Sequence, residues 1–190
     1  DTLVVDKTGT LTEGKPAVTA IVPAPGFEEA ALLRLAASVE RASEHPLADA
    51  IVRAANERNL SLGPVEDFDS PTGKGVRGKV DGKLVQLGNA GFFDALGIDS
   101  GPLAGKAEQL RQEGATVINV AVDGKLAGIV AISDPVKAST PAALKALAEA
   151  GIKVIMLTGD NLTTAKAVAA RIGIAEVEAD VLPDRKSTVV

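Results

Sequence analysis

The chain has 190 residues, 46% hydrophobic and 24% charged, with 20 Lys and Arg against 25 Asp and Glu, a net charge of −5, one His and no Cys, Trp or Tyr. This length and apolar content fit one or two folded domains, while the acidic balance and scattered lysines exclude a basic stripe, so nucleic acid is not an expected partner. Lack of cysteine excludes disulfides and thiolate metal sites, a lone His45 cannot build a multi-histidine site, and no run reaches the roughly 20 apolar residues of a membrane span.

The apolar run Leu3-Val4-Val5 ends at the Asp6 carboxylate and passes into Lys7-Thr8-Gly9-Thr10, which reads as a buried strand feeding a polar loop. Between Phe27 and Ala42, the residues Leu32, Leu33, Leu35, Ala36 and Val39 fall on one helical face, predicting a first helix. Pro46 opens a second, running through Leu47, Ala50, Ile51 and Ala54 to about Arg58. The stretch from Val76 to Leu87 carries Asp81-Gly82, the signal of a tight hairpin. Val80 to Leu84 recurs letter for letter as Val122 to Leu126, between arms expected at 117–122 and 126–132; one shared pentapeptide reflects common turn chemistry rather than duplication. Leu103 to Gln112 is expected to be helical. The region from about Pro16 to Ile132 therefore reads as an antiparallel sheet with helices packed on it.

After Asp134-Pro135 the pattern changes to alternating helix and strand. Thr140-Pro141 opens an Ala/Leu helix ending at Gly151, 153–157 is a short buried strand, Thr163 to Ile172 is a helix stopped by Gly173, and a weaker strand is expected near 177–179. This is the grammar of a parallel sheet, which the opening strand should join. The expected organisation is a split α/β domain, residues 1–15 and 133–190, with an antiparallel α+β domain, 16–132, inserted after its first strand.

Three places could carry chemistry. Asp6 sits at the end of a parallel strand, the crevice side of open α/β sheets, where a carboxylate can attack phosphorus if cations and amides neutralise the phosphate. On residue chemistry alone, Asp-Lys-Thr-Gly-Thr is also an ordinary polar turn. Thr158-Gly159-Asp160-Asn161 joins a hydroxyl to a helix N-terminus, a phosphate site in one reading and a helix cap by Asn161 or Asp160 in the other. Lys186, within Pro183-Asp184-Arg185-Lys186, could neutralise a transferring phosphoryl group or be solvated surface.

Taken in order, these three elements resemble the cytoplasmic catalytic region of P-type ATPases, a resemblance that spans nearly the whole chain. It implies a haloacid-dehalogenase-like phosphorylation domain with an inserted nucleotide-binding domain. It implies Asp6 as the phosphorylated aspartate, with Lys7 and Thr8 beside it and Lys186 as the phosphate-neutralising lysine. Thr158, Gly159 and Asp160 would bind phosphate, and Asp134-Pro135 would be the hinge. Ser43-Glu44-His45-Pro46-Leu47 is similar to the signature of the heavy-metal-transporting branch, in which Glu44 and His45 would contact adenine. Gly73, Gly75 and Val76 resemble its glycine loop, and Gly88-Asn89 its further Gly-Asn pair. Without that motif, His45 reads as a neutral histidine packed at a helix start. The G-x-G-x-x-G pattern of Gly73, Gly75 and Gly78 is no dinucleotide fingerprint, because a hairpin and not a helix follows it.

The implied reaction is in-line attack of Asp6 on the γ-phosphate of ATP with Mg2+ as cofactor, held by Asp6 and the Thr8 carbonyl and by a further ligand beyond residue 190. Phosphatases of the same superfamily carry an aspartate two residues past the nucleophile as acid and base; here it is Thr8, which suits a long-lived phosphoenzyme. The leading expectation is the ATP-binding and phosphorylation region of a heavy-metal pump, with copper first among ions. Its partners would be ATP and ADP, with the membrane and actuator domains of the pump. The transported ion would not bind this segment, which would be a soluble part on the cytoplasmic face. Alternatives are a soluble haloacid-dehalogenase-type phosphatase, or a nucleotide-binding module without activity. No Gly-Asp-Gly or Asn-Asp loop follows Lys186, so the phosphorylation domain is expected to be incomplete at its C-terminus and not to accumulate phosphoenzyme by itself.

Overall fold

The computed structural model describes residues 1–71 and 75–181. Gly73 and the segment Pro183 to Lys186, all named above, lie outside the described residues. In chain order the elements are β1 (Thr2–Asp6), β2 (Ala17–Pro23), α1 (Glu29–Glu40), α2 (Pro46–Glu57), β3 (Glu66–Asp69), β4 (Gly75–Val80), β5 (Lys83–Gly88) and α3 (Ala90–Leu96). Then follow α4 (Gly101–Gln112), β6 (Thr116–Val122), β7 (Lys125–Ser133), α5 (Thr140–Glu149), β8 (Lys153–Leu157), α6 (Leu162–Ile172) and β9 (Glu176–Glu178). They divide into two compact units: Asp1–Pro16, Glu108–Thr116 and the chain from Ser133 on form one, and Ala17–Ala107 with Val117–Ile132 the other.

In the first unit, β1, β8 and β9 form a parallel sheet in that order, so the opening strand does join the strands that follow residue 150. Val4 lies opposite Ile155 and Asp6 opposite Leu157. Parallel strands in this register end together, and the loops beginning at Lys7 and Thr158 leave from the same edge of the sheet. The apolar stripe of α6, Ala165, Val168, Ala169 and Ile172, packs with Met156 and Leu11. Met156, with no exposed surface, contributes about 2 kcal/mol by its burial.

The second unit is a six-stranded antiparallel sheet in the order β2-β7-β6-β5-β4-β3. Both Asp-Gly turns have positive φ at each central residue, 52° and 74° at Asp81-Gly82, 50° and 74° at Asp123-Gly124, the sign that matches the twist of a two-residue hairpin. Leu32, Leu33 and Val39 of α1 and Ile51 of α2 pack on one face, against Val80, Val85, Leu87 and Val120. Alternation puts Ala121 on the other face, with Phe92 and Phe93 of α3 and with Ile98.

Several local expectations shift. Helix α3 was not expected: Asn89, matched above to a nucleotide-binding pair, also accepts a hydrogen bond from Phe92 N at 2.8 Å as N-cap, and Gly97 ends the helix at φ 67°. Nor was β3, whose sequence Glu-Asp-Phe-Asp lacks a strand pattern. It pairs antiparallel with β4, Glu66 opposite Lys79 and Asp69 opposite Arg77, and the exposed ion pairs Arg77–Asp69 (2.7 Å) and Lys79–Asp67 (2.8 Å) add charges that discourage a further strand from adding at this edge. Helix α4 starts two residues before Leu103 because Asp99 Oδ1 accepts from Gly101 N at 2.8 Å. Helix α6 and strand β9 each start one residue earlier than expected. Among the described residues no helix is long and apolar enough to cross a membrane.

Candidate functional site

In the first unit, residues from three loops meet at the edge where β1 and β8 end. Asp6 closes β1 in extended conformation (φ −70°, ψ 140°). Beyond it the chain makes one wide turn, closed by Thr12 N donating to Lys7 O at 3.1 Å, with Lys7 and Leu11 buried and Thr8, Gly9 and Thr10 exposed at its apex. Gly9 has φ 78°, and a Cβ at this position would meet nothing within 4 Å, so its glycine answers to backbone conformation and not to room. The turn is fastened from below: Lys137 Nζ donates to Gly9 O at 2.6 Å and the Thr140 hydroxyl to Leu11 O at 2.8 Å.

The Lys7 side chain turns into the protein, and its ammonium meets Asp160 Oδ2 at 2.5 Å, with the two side chains 9% and 12% exposed. This buried pair ties the loop after β1 to the loop after β8. Thr158 is also buried; its hydroxyl accepts from Asp160 N at 3.1 Å, and Asn161 caps α6 by accepting from Thr164 N at 2.9 Å. Gly159 is the exposed residue of that loop. Asp134 grips the chain as it leaves the unit: Oδ2 accepts from the Thr12 hydroxyl at 2.6 Å and from Gly14 N at 3.2 Å, and Oδ1 from Lys15 N at 2.9 Å. Pro135 adds its carbonyl, which accepts from Glu13 N at 2.8 Å. Buried Thr12 is not marked in the sequence beyond its place in a polar run.

In the second unit, Gly75 and Val76 begin β4 and Gly88 ends β5, with Gly75 directly opposite Gly88, so the two glycine elements share one end of this strand pair. Val76 is buried in the core. A Cβ on Gly75 would lie 2.2 Å from Leu87 O and 2.6 Å from the Phe92 ring, which gives this glycine a packing reason of its own. At the junction of the helices, Glu44 is exposed, and His45 Nδ1 accepts from Leu47 N at 3.2 Å as N-cap of α2. His45 is exposed, but partial desolvation of its ring at the junction lowers its pKa, and an accepting Nδ1 likewise needs the neutral ring, so the proton resides on Nε2.

Glu40, the last residue of α1, is a buried carboxyl that the motifs do not include. It is 6% exposed, its Oε2 has no hydrogen-bond partner, and burial pushes its pKa up to about 7, opposed in part by a hydrogen bond from Ser43. A lone Glu on an apolar helical stripe, five residues before His45, is the signal that the sequence offers for it. The exposed Glu44 carboxyl group and the His45 N–H stand on the same helix junction, an acceptor and a donor complementary to the mixed donors and acceptors of a purine edge.

The profile of the family described as "Hydrolase: haloacid dehalogenase-like hydrolase" matches residues 1–190. The chain is 54% identical over all 190 residues to a silver exporting P-type ATPase of Salmonella typhimurium, of which it covers 23%. It is equally 54% identical to a copper-transporting P-type ATPase of Rhizobium leguminosarum bv. viciae, again covering 100% of this chain and 23% of that one. The solved catalytic domain of the CPx-ATPase CopB-B, from work on its conformational changes upon nucleotide binding, superimposes with a TM-score of 0.74. The two are 30% identical, over 100% of this chain and 65% of the other. The chain thus spans about a quarter of the length of these curated relatives.

Proposed function

Because this chain belongs to the haloacid dehalogenase-like hydrolase family, we propose that it is the ATP-binding and phosphorylation region of a heavy-metal P-type ATPase, with copper(I) as the transported ion. The observation that carries this reading is similarity to silver and copper pumps along the whole chain, with an aspartate at the end of β1 beside the loop after β8. The natural setting would be the cytoplasmic face of a membrane, beside the membrane-spanning and actuator domains of the pump.

In this mechanism an Asp6 carboxylate oxygen forms a bond to the γ-phosphorus of ATP while the bond to the β,γ-bridging oxygen breaks, leaving an aspartyl phosphate and ADP. The exposed Thr8-Gly9-Thr10 apex and the backbone at Gly159 receive the phosphate oxygens, and Thr158 and the Lys7–Asp160 pair hold these loops at a fixed separation. Lys186 neutralises charge on the transferring group. Asp134 and Pro135 act as the hinge. Thr8 carries no carboxyl to activate water, so the acyl phosphate persists.

Among the described residues no group of three or more His, Cys, Asp or Glu could hold a metal. The Asp6 carboxylate and the Thr8 carbonyl are hard oxygens at one loop, the kind of sparse protein donor set that magnesium completes with water and phosphate. Bound there, Mg2+ would supply neutralisation of the developing phosphoryl charge.

In the second unit, Glu44 and the His45 Nε2–H hold adenine, and the two glycine elements, Gly73 and Gly75 with Val76 beside them and Gly88-Asn89, hold the rest of the nucleoside. Titration of the 15N-labelled chain with ATP tests this: amides at 40–45, 75–76 and 88–89 should shift. Silence there refutes the nucleotide site. An acid-stable 32P adduct from γ-labelled ATP that is lost in Asp6→Asn would identify the acceptor, and would overturn the expectation that this chain does not accumulate phosphoenzyme by itself.

A further inference from the structure

The Asp160 carboxylate is held on both oxygens, Oδ2 by Lys7 Nζ at 2.5 Å and Oδ1 by the Thr116 hydroxyl at 2.8 Å. Thr116 ends the stretch Glu108–Thr116, which belongs to the first compact unit although its neighbours in sequence on both sides belong to the second. Three more hydrogen bonds lay this stretch along α6. The Thr163 hydroxyl donates to Glu108 Oε1 at 3.1 Å, the Thr164 hydroxyl to Ala115 O at 2.7 Å, and the Arg171 guanidinium to Glu113 O. Gly114 sits at φ 88°, and a Cβ there would stand 3.3 Å from Arg171 Nη1 and 3.4 Å from Val168 Cγ2. At Gly114 of this strap it is the positive φ that favours glycine, and a side chain there would also press on Arg171 and Val168 of α6.

A carboxylate anchored through one oxygen can still rotate, because the terminal torsion of Asp is broad and roughly two-fold. A second, charge-assisted hydrogen bond on the other oxygen removes that freedom. We propose that Thr116 is a positioning residue: by fixing the orientation of Asp160 it fixes the Lys7 ammonium, and so holds the loop after β1 against the loop after β8 in the geometry that receives a phosphate. This deepens, and rests on, the reading of Asp6 as phosphoryl acceptor. Small displacements at such a site are expensive, since phosphoryl transfer depends almost wholly on positioning and electrostatics.

The test uses the chain itself. In 15N-lysine-labelled protein, the Lys7 Nζ resonance is assigned by its loss in Lys7→Arg, and inorganic phosphate is titrated while the amides of Thr8 to Thr10 and Thr158 to Asp160 are followed. Thr116→Val should move or broaden the Lys7 signal and weaken phosphate binding by about fivefold or more, the scale of one hydrogen bond. Thr116→Ser should restore both. Thr164→Val, which cuts the same strap without touching Asp160, should leave both unchanged, and ATP-induced shifts at His45 should be the same in every variant. An unmoved Lys7 signal in Thr116→Val overturns the proposal, as do equal losses in Thr164→Val. If phosphate shifts no amide of either loop in the unmutated chain while Lys7 still responds to Thr116→Val, the clamp stands and the phosphoryl-acceptor reading is what falls.

Discussion

Glu40 makes a quantitative prediction about pH. Its pKa rises from 4.5 to about 7 because folding removes the carboxyl from water and leaves Oε2 without a partner. Between those values the folded chain holds a proton that the unfolded chain has released. Stability therefore falls as pH rises from about 4.5 to about 7 and levels off above that. At 1.36 kcal/mol per pKa unit, the whole shift amounts to about 3 kcal/mol, of which about 2.5 kcal/mol is lost between pH 5 and pH 8. Glu40→Gln keeps the volume and removes the titration. Urea unfolding of both proteins at half-unit intervals cancels every other titrating group in the difference. The advantage of Glu40→Gln over the parent should grow by about 2.5 kcal/mol from pH 5 to pH 8. A difference that stays flat to within about 0.5 kcal/mol would refute the reasoning, since Glu40 would then be solvated or paired in the fold.

Other outcomes are equally open to measurement. Asp134→Ala removes the acceptor of three hydrogen bonds, from the Thr12 hydroxyl, Gly14 N and Lys15 N, and should cost about 2 kcal/mol in urea unfolding, with Asp134→Asn milder. The glycines separate conformation from packing. Gly9→Ala, at φ 78° in open space, should cost about 1 kcal/mol. Gly75→Ala, with its Cβ forced to 2.2 Å from a carbonyl, should cost at least about 2 kcal/mol and disturb the Phe92 ring signals. His45→Gln should weaken ATP binding by about 1 to 2 kcal/mol in calorimetry while the fold persists, as measured by far-UV circular dichroism.

Much of this architecture is legible in the residues themselves. The parallel grammar after residue 135, the helices over Leu32 to Val39 and after Pro46, and both Asp-Gly hairpins follow from local period and turn chemistry. So does the common edge from which the loops after Asp6 and Leu157 leave, because each of these residues ends an apolar strand. Helix α3 and strand β3 were not legible. The first is short, and its cap residue Asn89 also fits a ligand-binding motif. The second is a short acidic edge strand, defined by its backbone pairing with β4 and not by any apolar alternation of its own. Glu40, Thr12 and Thr116 were hidden for one shared reason. A polar side chain declares itself in sequence through its neighbours in the chain, while these three matter through burial or through partners up to 122 residues away.

The sequence by itself determined the kind of chemistry on offer: a carboxylate at a strand end, small residues after it, two glycine-bearing elements, and no thiol or histidine cluster. Those depend on residue type and short-range order, which local sterics and hydrogen bonding set. Tertiary structure alone decided how the groups are used. It turned the Lys7 ammonium inward onto Asp160, gave Asp160 a second anchor in Thr116, closed Asp134 over the departing chain, and left Glu40 buried with an unpaired oxygen. Each of these outcomes depends on burial and on contacts between distant segments, which exist only once the strands are in register.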